Sequence, residues 1–238
     1  MDCGVDKLAR LHHACYDAAS GLDSPLPDEQ RFTLATMYAR LLELAGAVVV
    51  LTRHDGQTAL PSVARTMLEV YVDFINLSTD GGYMRFIEAA DRRQAQSVLK
   101  GLREPGIALL DALASDPEMG PLVASLELSL AASTPQDTKP LSVKDRFETA
   151  GMHAAYALVY RQLCSDTHSS RSTLRGSHAE RQGDRLEVMF YKEHSIEEVA
   201  VYTGLATEML RESARGIYQQ LDCPMPVELS QVLNESES

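Results

Sequence analysis

The sequence predicts an all-α protein, a bundle of about six to eight helices with a short irregular or β-like arm near residues 172–192. Three observations point there. Ala, Leu, Met, Glu and Arg are plentiful while aromatic residues make up only 6% and Trp is absent, a composition that favours helix over sheet. Apolar residues recur at helical spacing through most of the chain. The interruptions fall at Pro, Gly, Asp and Ser clusters, the residues that end helices and make turns. With 238 residues and 45% hydrophobic content, one sizeable core is possible without metals or disulfides.

Taken in order, residues 5–20 repeat Val5, Leu8, Leu11, Ala14, Cys15 and Ala18, a peripheral helix that ends at Ser20-Gly21. Its adjacent His12 and His13 point about 100° apart and read as surface or half-buried histidines, not a metal clamp. Pro27, Asp28 and Glu29 open a long helix with the negative charge a helix start favours. It runs to about Arg53 and stops at His54-Asp55-Gly56; its one acid amid apolar residues, Glu43, reads as part of a solvated flank. Pro61-Ser62 open the next, Val63 to about Ser78. There Met67, Leu68, Val70, Tyr71, Phe74 and Ile75 make a wide apolar face, and Arg65, Glu69 and Asp73 a polar row at i, i+4, i+8.

After Asp80-Gly81-Gly82, helical spacing resumes from Tyr83 to Leu102 and breaks at Glu104-Pro105-Gly106. A short helix over Ile107–Ala114 and an apolar stretch to Ala132 follow. Ser133 to Pro140 reads as a loop. Ser142 then caps a helix that carries Phe147, Met152, Ala155, Leu158, Val159 and Leu163 to about Ser169-Ser170. Between Ser172 and Lys192 the pattern is lost, with Leu186–Tyr191 either a short strand or an irregular arm. Ser195-Ile196-Glu197-Glu198 is a capping box opening a final helix to about Leu221, which Cys223-Pro224 stops. The expectation is a single domain over 1–238, with 28–132 and 142–221 as the bundle, 133–141 a loop and 224–238 a tail.

The formal net charge is -12, so the molecule as a whole does not steer toward nucleic acid. A local basic island does exist. Arg161, Arg171, Arg175, Arg181 and Arg185 face Asp166, Glu180 and Asp184, a formal +2, with His168 and His178 in addition. Four cysteines lie far apart without C-x-x-C spacing, which suggests free thiols in the cytoplasm. The start of the chain lacks a basic region followed by an apolar run, and the longest apolar run, Ala45 to Leu51, is short for a membrane span; no membrane partner is expected.

One stretch carries chemistry. In Tyr160-Arg161-Gln162-Leu163-Cys164-Ser165-Asp166-Thr167-His168, the residues Arg161, Ser165 and His168 stand at i, i+4 and i+7 and share a helical face. Arginine offers a permanently charged fork for phosphate. Histidine can take a proton from a ribose 2′-OH and return one to a leaving oxygen. Together they suffice for metal-independent RNA cleavage by internal transesterification, and a second subunit could complete such a site across a two-fold axis.

Arg161-x6-His168 resembles the Arg-x(4 to 6)-His signature of the HEPN superfamily, all-helical proteins of which many are dimeric ribonucleases in toxin, defence and RNA-processing systems. That resemblance implies Arg161 and His168 as a catalytic pair, RNA or a nucleotide as ligand, and a homodimer. Two blocks also resemble a bacterial family of unknown function: Ala64-Arg65-Thr66-Met67-Leu68-Glu69-Val70-Tyr71-Val72-Asp73 with Tyr83-Met84-Arg85-Phe86, and Tyr160-Arg161-x-Leu163-Cys164-x3-His168-Ser169. This second resemblance implies a helical bundle in which the Arg65/Glu69 row lies near His168; in the reading as a protein acting on RNA, Arg65, Glu69, Asp73, Ser165 and Tyr160 support the catalytic pair.

The competing reading is a non-catalytic interaction or regulatory module whose Arg/Glu/His cluster is a polar network fixing helix register. A carboxylate–histidine metal site from Glu43, Glu69, Asp73 and His168 is a third, but the Glu-x-x-His repeats of di-iron bundles are absent. No P-loop, GxGxxG or GxSxG occurs, and no cofactor is expected.

Overall fold

The computed structural model describes residues 4–22, 28–54, 56–103, 111–112, 115–117, 119–132, 138–167, 171–190 and 195–235. Helices dominate, as composition and spacing predict, and the only sheet among the described residues is a two-stranded hairpin. The chain divides into two compact units, Met1–Asp80 with Val143–Ser238, and Gly81–Ser142. The unit boundaries fall at the Asp80-Gly81-Gly82 break and beside the Ser133–Pro140 loop, where local sequence stops helix propagation.

In the larger unit, helices α1 (Gly4–Ala19), α2 (Glu29–Arg53) and α3 (Leu60–Thr79) are followed, beyond the inserted unit, by the long helix Ile196–Gln220. These four pack on one another, with α2 touching the other three. Asp28 caps α2 by accepting a hydrogen bond from the Arg31 amide at 3.0 Å, the bond its position predicts. Leu34, Tyr38, Leu41, Leu42, Leu44, Ala45 and Val48 bury one side of α2. By length and composition this helix could also cross a membrane; judging by the longest uninterrupted apolar run alone missed that, because Arg40, Glu43 and Thr52 break the run without making the helix polar.

The smaller unit contains α4 (Met84–Arg103) and α5 (Met119–Ala132), which pack together. Among its described residues Tyr83, Ala89, Ala95 and Leu99 are buried, and the Arg85 guanidinium lies 4.7 Å over the Phe86 ring. The predicted short helix over Ile107–Ala114 lies largely outside the described residues.

The helix expected from Ser142 to about Ser170 is two helices. The first, α6 (Val143–Thr149), closes with the Gly151 amide donating to the Glu148 carbonyl at 3.0 Å and the Met152 amide to the Phe147 carbonyl at 2.8 Å. Gly151 sits at φ +69°. This is a Schellman ending, which turns the chain out of the helix through a left-handed residue that glycine adopts without steric cost. The apolar period continues across it, with Phe147 buried before the turn and Tyr160 and Leu163 after it. The second helix, α7, joins a short turn His153–Ala155, a π-helical stretch Tyr156–Tyr160 and an α segment Arg161–Thr167.

Where the pattern seemed lost, residues form α8 (Arg171–His178) and then a hairpin of β1 (Ala179–Gln182) and β2 (Arg185–Val188). So the β-like arm is real, but its first half is helical, carried by Leu174 and charged residues too few to show a period. Gly183, at φ +62°, occupies the first central position of the two-residue turn, where a hairpin of this length asks for glycine. The long helix Ile196–Gln220, here α9, opens with the predicted capping box: Ser195 Oγ accepts from the Glu198 amide and Glu198 accepts from the Ser195 amide. It ends with a second Schellman pair, Asp222 to Gln219 and Cys223 to Tyr218, with Asp222 at φ 53°. The expected tail is instead largely a helix, α10 (Val227–Glu235), which lays Leu229 and Leu233 on α1. Two apolar residues four apart were enough to dock it, although too few to show as a pattern.

Candidate functional site

The polar row of α3 becomes the centre of a charge network. Arg65 Nε donates to Glu69 Oε1 at 3.1 Å, within the helix. The Tyr160 hydroxyl, delivered by the π-helical stretch of α7, donates to the same Glu69 oxygen at 2.8 Å and accepts from Arg65 at 3.3 Å. Arg146, from α6, closes the row: one guanidinium nitrogen reaches Asp73 Oδ2 and the other Glu69 Oε2 at 3.3 Å. Among the described residues two arginines therefore face two carboxylates, whose formal charges sum to zero.

Sequence reasoning missed Arg146. A signal for it was present, because the α3 row has one base and two acids on an otherwise apolar helix. Half-buried carboxylates need partners, so a second cation had to come from elsewhere in the fold. Its position is set from below by Asn76, whose side-chain amide donates to the Arg146 carbonyl at 2.9 Å, and by Phe147, fully buried beside it.

Aromatic rings wall one side. Phe147 meets Tyr160 at 5.1 Å and Tyr156 at 5.5 Å between centroids, and Tyr156 stacks on Tyr160 at 5.6 Å. Stacking of residues four apart is favoured by the widened π turn that holds both, a feature found often at sites with a task. The Arg65 guanidinium lies 5.5 Å from the Tyr160 ring centre, a cation–π distance. Burial, followed by hydrogen bonds with Glu69 and Cys164, pushes the Tyr160 hydroxyl well above the ordinary tyrosine value. Burial disfavours the charged Arg65, yet the hydrogen bond to Tyr160 and the nearby Tyr160, Cys164 and Glu69 outweigh it and raise its pKa. The Tyr160 hydroxyl therefore keeps its proton at physiological pH and donates it in the hydrogen bond to Glu69.

Of the residues singled out from sequence, Arg65, Glu69, Asp73 and Tyr160 come together. Arg161 does not join them: it is exposed and has no ion-pair partner among the described residues. Ser165 is half-buried, and its carbonyl accepts from the Thr173 hydroxyl at 3.3 Å. His168 lies outside the described residues. Glu43 stands apart, exposed and paired with Arg40 at 2.9 Å. No group of three or more His, Cys, Asp or Glu among the described residues is placed to hold a metal ion, and the Glu69 and Asp73 carboxylates are taken by guanidinium groups.

The basic island lies outside the network. Arg161, Arg171, Arg175, Arg181 and Arg185 are all exposed, carried by α7, α8 and the hairpin. Within the described chain none of them is in an ion pair; Arg181 donates only to the Gly183 carbonyl at 3.0 Å. In the bundle, by contrast, Arg31, Arg40, Arg53, Arg65, Arg146, Arg211 and Arg215 all face carboxylates.

An all-helical protein with a neutral, aromatic-walled charge network and a separate exposed arginine set is thus defined. Residues 31–185 match a protein family described as a family of unknown function (DUF5677). The chain belongs to that family, and the match covers both the α3 row and the Tyr160–His168 stretch. Neither the curated proteins nor the solved structures contain a match to this chain.

Proposed function

We propose that the chain is a HEPN-like protein that binds RNA through the exposed arginines of α7 and α8, and that the charge network is its scaffold. What supports this reading is the contrast between unpaired and paired arginines. In a chain with 34 acids and 22 bases, exposed arginines find partners easily, yet Arg161, Arg171 and Arg175 have none among the described residues. Cations left open in this way suit phosphate, for which guanidinium geometry is matched. In this reading Arg161 clamps a phosphodiester and His168 takes the proton of the adjacent 2′-OH. The oxygen then attacks phosphorus, the 5′-oxygen leaves with a proton returned to it, and no metal is needed.

The test is fluorescence anisotropy with a labelled single-stranded RNA in EDTA, followed by analysis of the RNA for cleavage. Three phosphate contacts on a single strand give a slope of log affinity against log salt of about -2. Arg171→Glu and Arg175→Glu should each lower affinity at least tenfold, and cleavage should vanish in His168→Ala and Arg161→Ala. Absence of RNA binding at low salt by the wild type rejects the reading. RNA binding without cleavage favours the second reading, a non-catalytic interaction module, which the internal neutrality of the Arg65/Glu69/Arg146/Asp73 network already supports.

A further inference from the structure

The hairpin is two-faced and neither of its edges is paired among the described residues. Its register sets Ala179 opposite Val188, Glu180 opposite Glu187, Arg181 opposite Leu186 and Gln182 opposite Arg185. Directly opposed residues share a face, so Leu186 and Val188 lie on one side with Ala179 and Arg181. Leu186 is 68% exposed, Val188 67%, and Phe190 just beyond the strand 80%. A hairpin with this face bare is marginal in water, and an unpaired strand edge is a template for another strand.

The ladder also fixes which backbone groups look outward. The Met189 amide donates to the His178 carbonyl at 2.9 Å. Bonded pairs alternate along an antiparallel ladder, so Glu180/Glu187 and Gln182/Arg185 are bonded pairs too. The amides and carbonyls of Leu186 and Val188 therefore turn away from β1.

We propose that this outer edge of β2 pairs with β2 of a second copy of the chain, antiparallel about a two-fold axis through Leu186. The sequence around Leu186 is self-complementary in charge. Arg185 precedes it and Glu187 follows it, both exposed and neither in an ion pair within the described chain. Centred on Leu186, the pairing sets each Arg185 against Glu187 of the other copy and the two Leu186 side chains against each other, and uses the outward backbone groups of Leu186. Centred one residue later, it would oppose two Glu187 carboxylates, which is unfavourable. β2 itself carries no net charge, so a nucleic acid has nothing to grip there, whereas a two-fold partner meets a pattern that complements itself.

Sedimentation equilibrium over a concentration series, without RNA, tests this. The wild type should show a concentration-dependent monomer–dimer equilibrium. Arg185→Glu and Glu187→Arg should each weaken the dimer at least tenfold, and the mixture of the two variants should form a heterodimer tighter than either alone. Carrying both changes in one chain should restore wild-type association. These side chains are exposed, so circular dichroism should be unchanged in every variant. A wild type that stays monomeric, a dimer indifferent to both charge reversals, or association that appears only when RNA is added would overturn the proposal.

Discussion

At the scale of the residue, Tyr160 gives the clearest case of one side chain holding others in place. Its hydroxyl is shared between Arg65 and Glu69, so Tyr160→Phe removes a donor to a carboxylate while leaving the ring stack intact. Hydrogen bonds to charged groups contribute about 1.5–3 kcal/mol when sheltered; since Arg65 and Glu69 stay paired and partly solvated, about 1–2 kcal/mol is expected, read as a lower urea midpoint with an unchanged slope. His12 makes a different prediction. It packs against α2 at Gly46, where a Cβ would stand 2.8 Å from its Nε2 and the ring would have to shift. Burial lowers its pKa below 6.5, with the Leu42 carbonyl opposing and His13 adding to the shift. The unfolded chain then takes up a proton first as pH falls through 6.5, so this contribution to stability is present above that value and declines on acidification toward the lower folded value. Urea midpoints on either side of pH 6.5 should fall on the acid side, and less so in His12→Gln.

At the scale of the element, the sequence revealed what local chemistry decides and concealed what tertiary contact decides. The starts of α2 and α9 were legible because Asp28 and Ser195 with Glu198 cap their own helices. The row Arg65, Glu69, Asp73 was legible as a row, but Arg146 was not, since nothing in Val143–Thr149 announces its partners 73 and 77 residues upstream. Gly151 was overlooked as a helix end because the apolar spacing on its two sides happens to be in phase. The helix α10 was overlooked because nine residues with two anchors give no period. Its docking has a testable consequence: Leu233 is 1% exposed, and Leu233→Ala should cost about 2–4 kcal/mol, measured by thermal unfolding. A helix that hung free as a tail would show no loss.

At the scale of the whole molecule, charge works in two opposite directions. The net charge of -12 sets the body against itself, and salt relieves that repulsion. Raising salt should therefore raise the melting temperature of the free protein while weakening its hold on RNA, and the two curves should run opposite ways in the same buffers. A melting temperature that fell with salt would mean that the surface pairs such as Arg53 with Asp6, at 2.8 Å, outweigh the general repulsion. The fold also joins its ends: α1 packs against α9 and α10, so the larger unit is closed only by residues on the far side of the inserted one.

That closure bears on how the chain is made. The helix α2, apolar enough to pass for a membrane segment, leaves the ribosome long before α9, the helix that covers much of its buried side. At ordinary elongation rates the interval between Arg53 and Ile196 lasts on the order of ten seconds. Throughout it Leu34, Leu41, Ala45 and Val48 have α1 and α3, but not yet α9, for shelter. Newly made chains should accordingly lean on holding chaperones until translation passes Gln220, and the order of the helices along the gene becomes a determinant of yield as much as of shape.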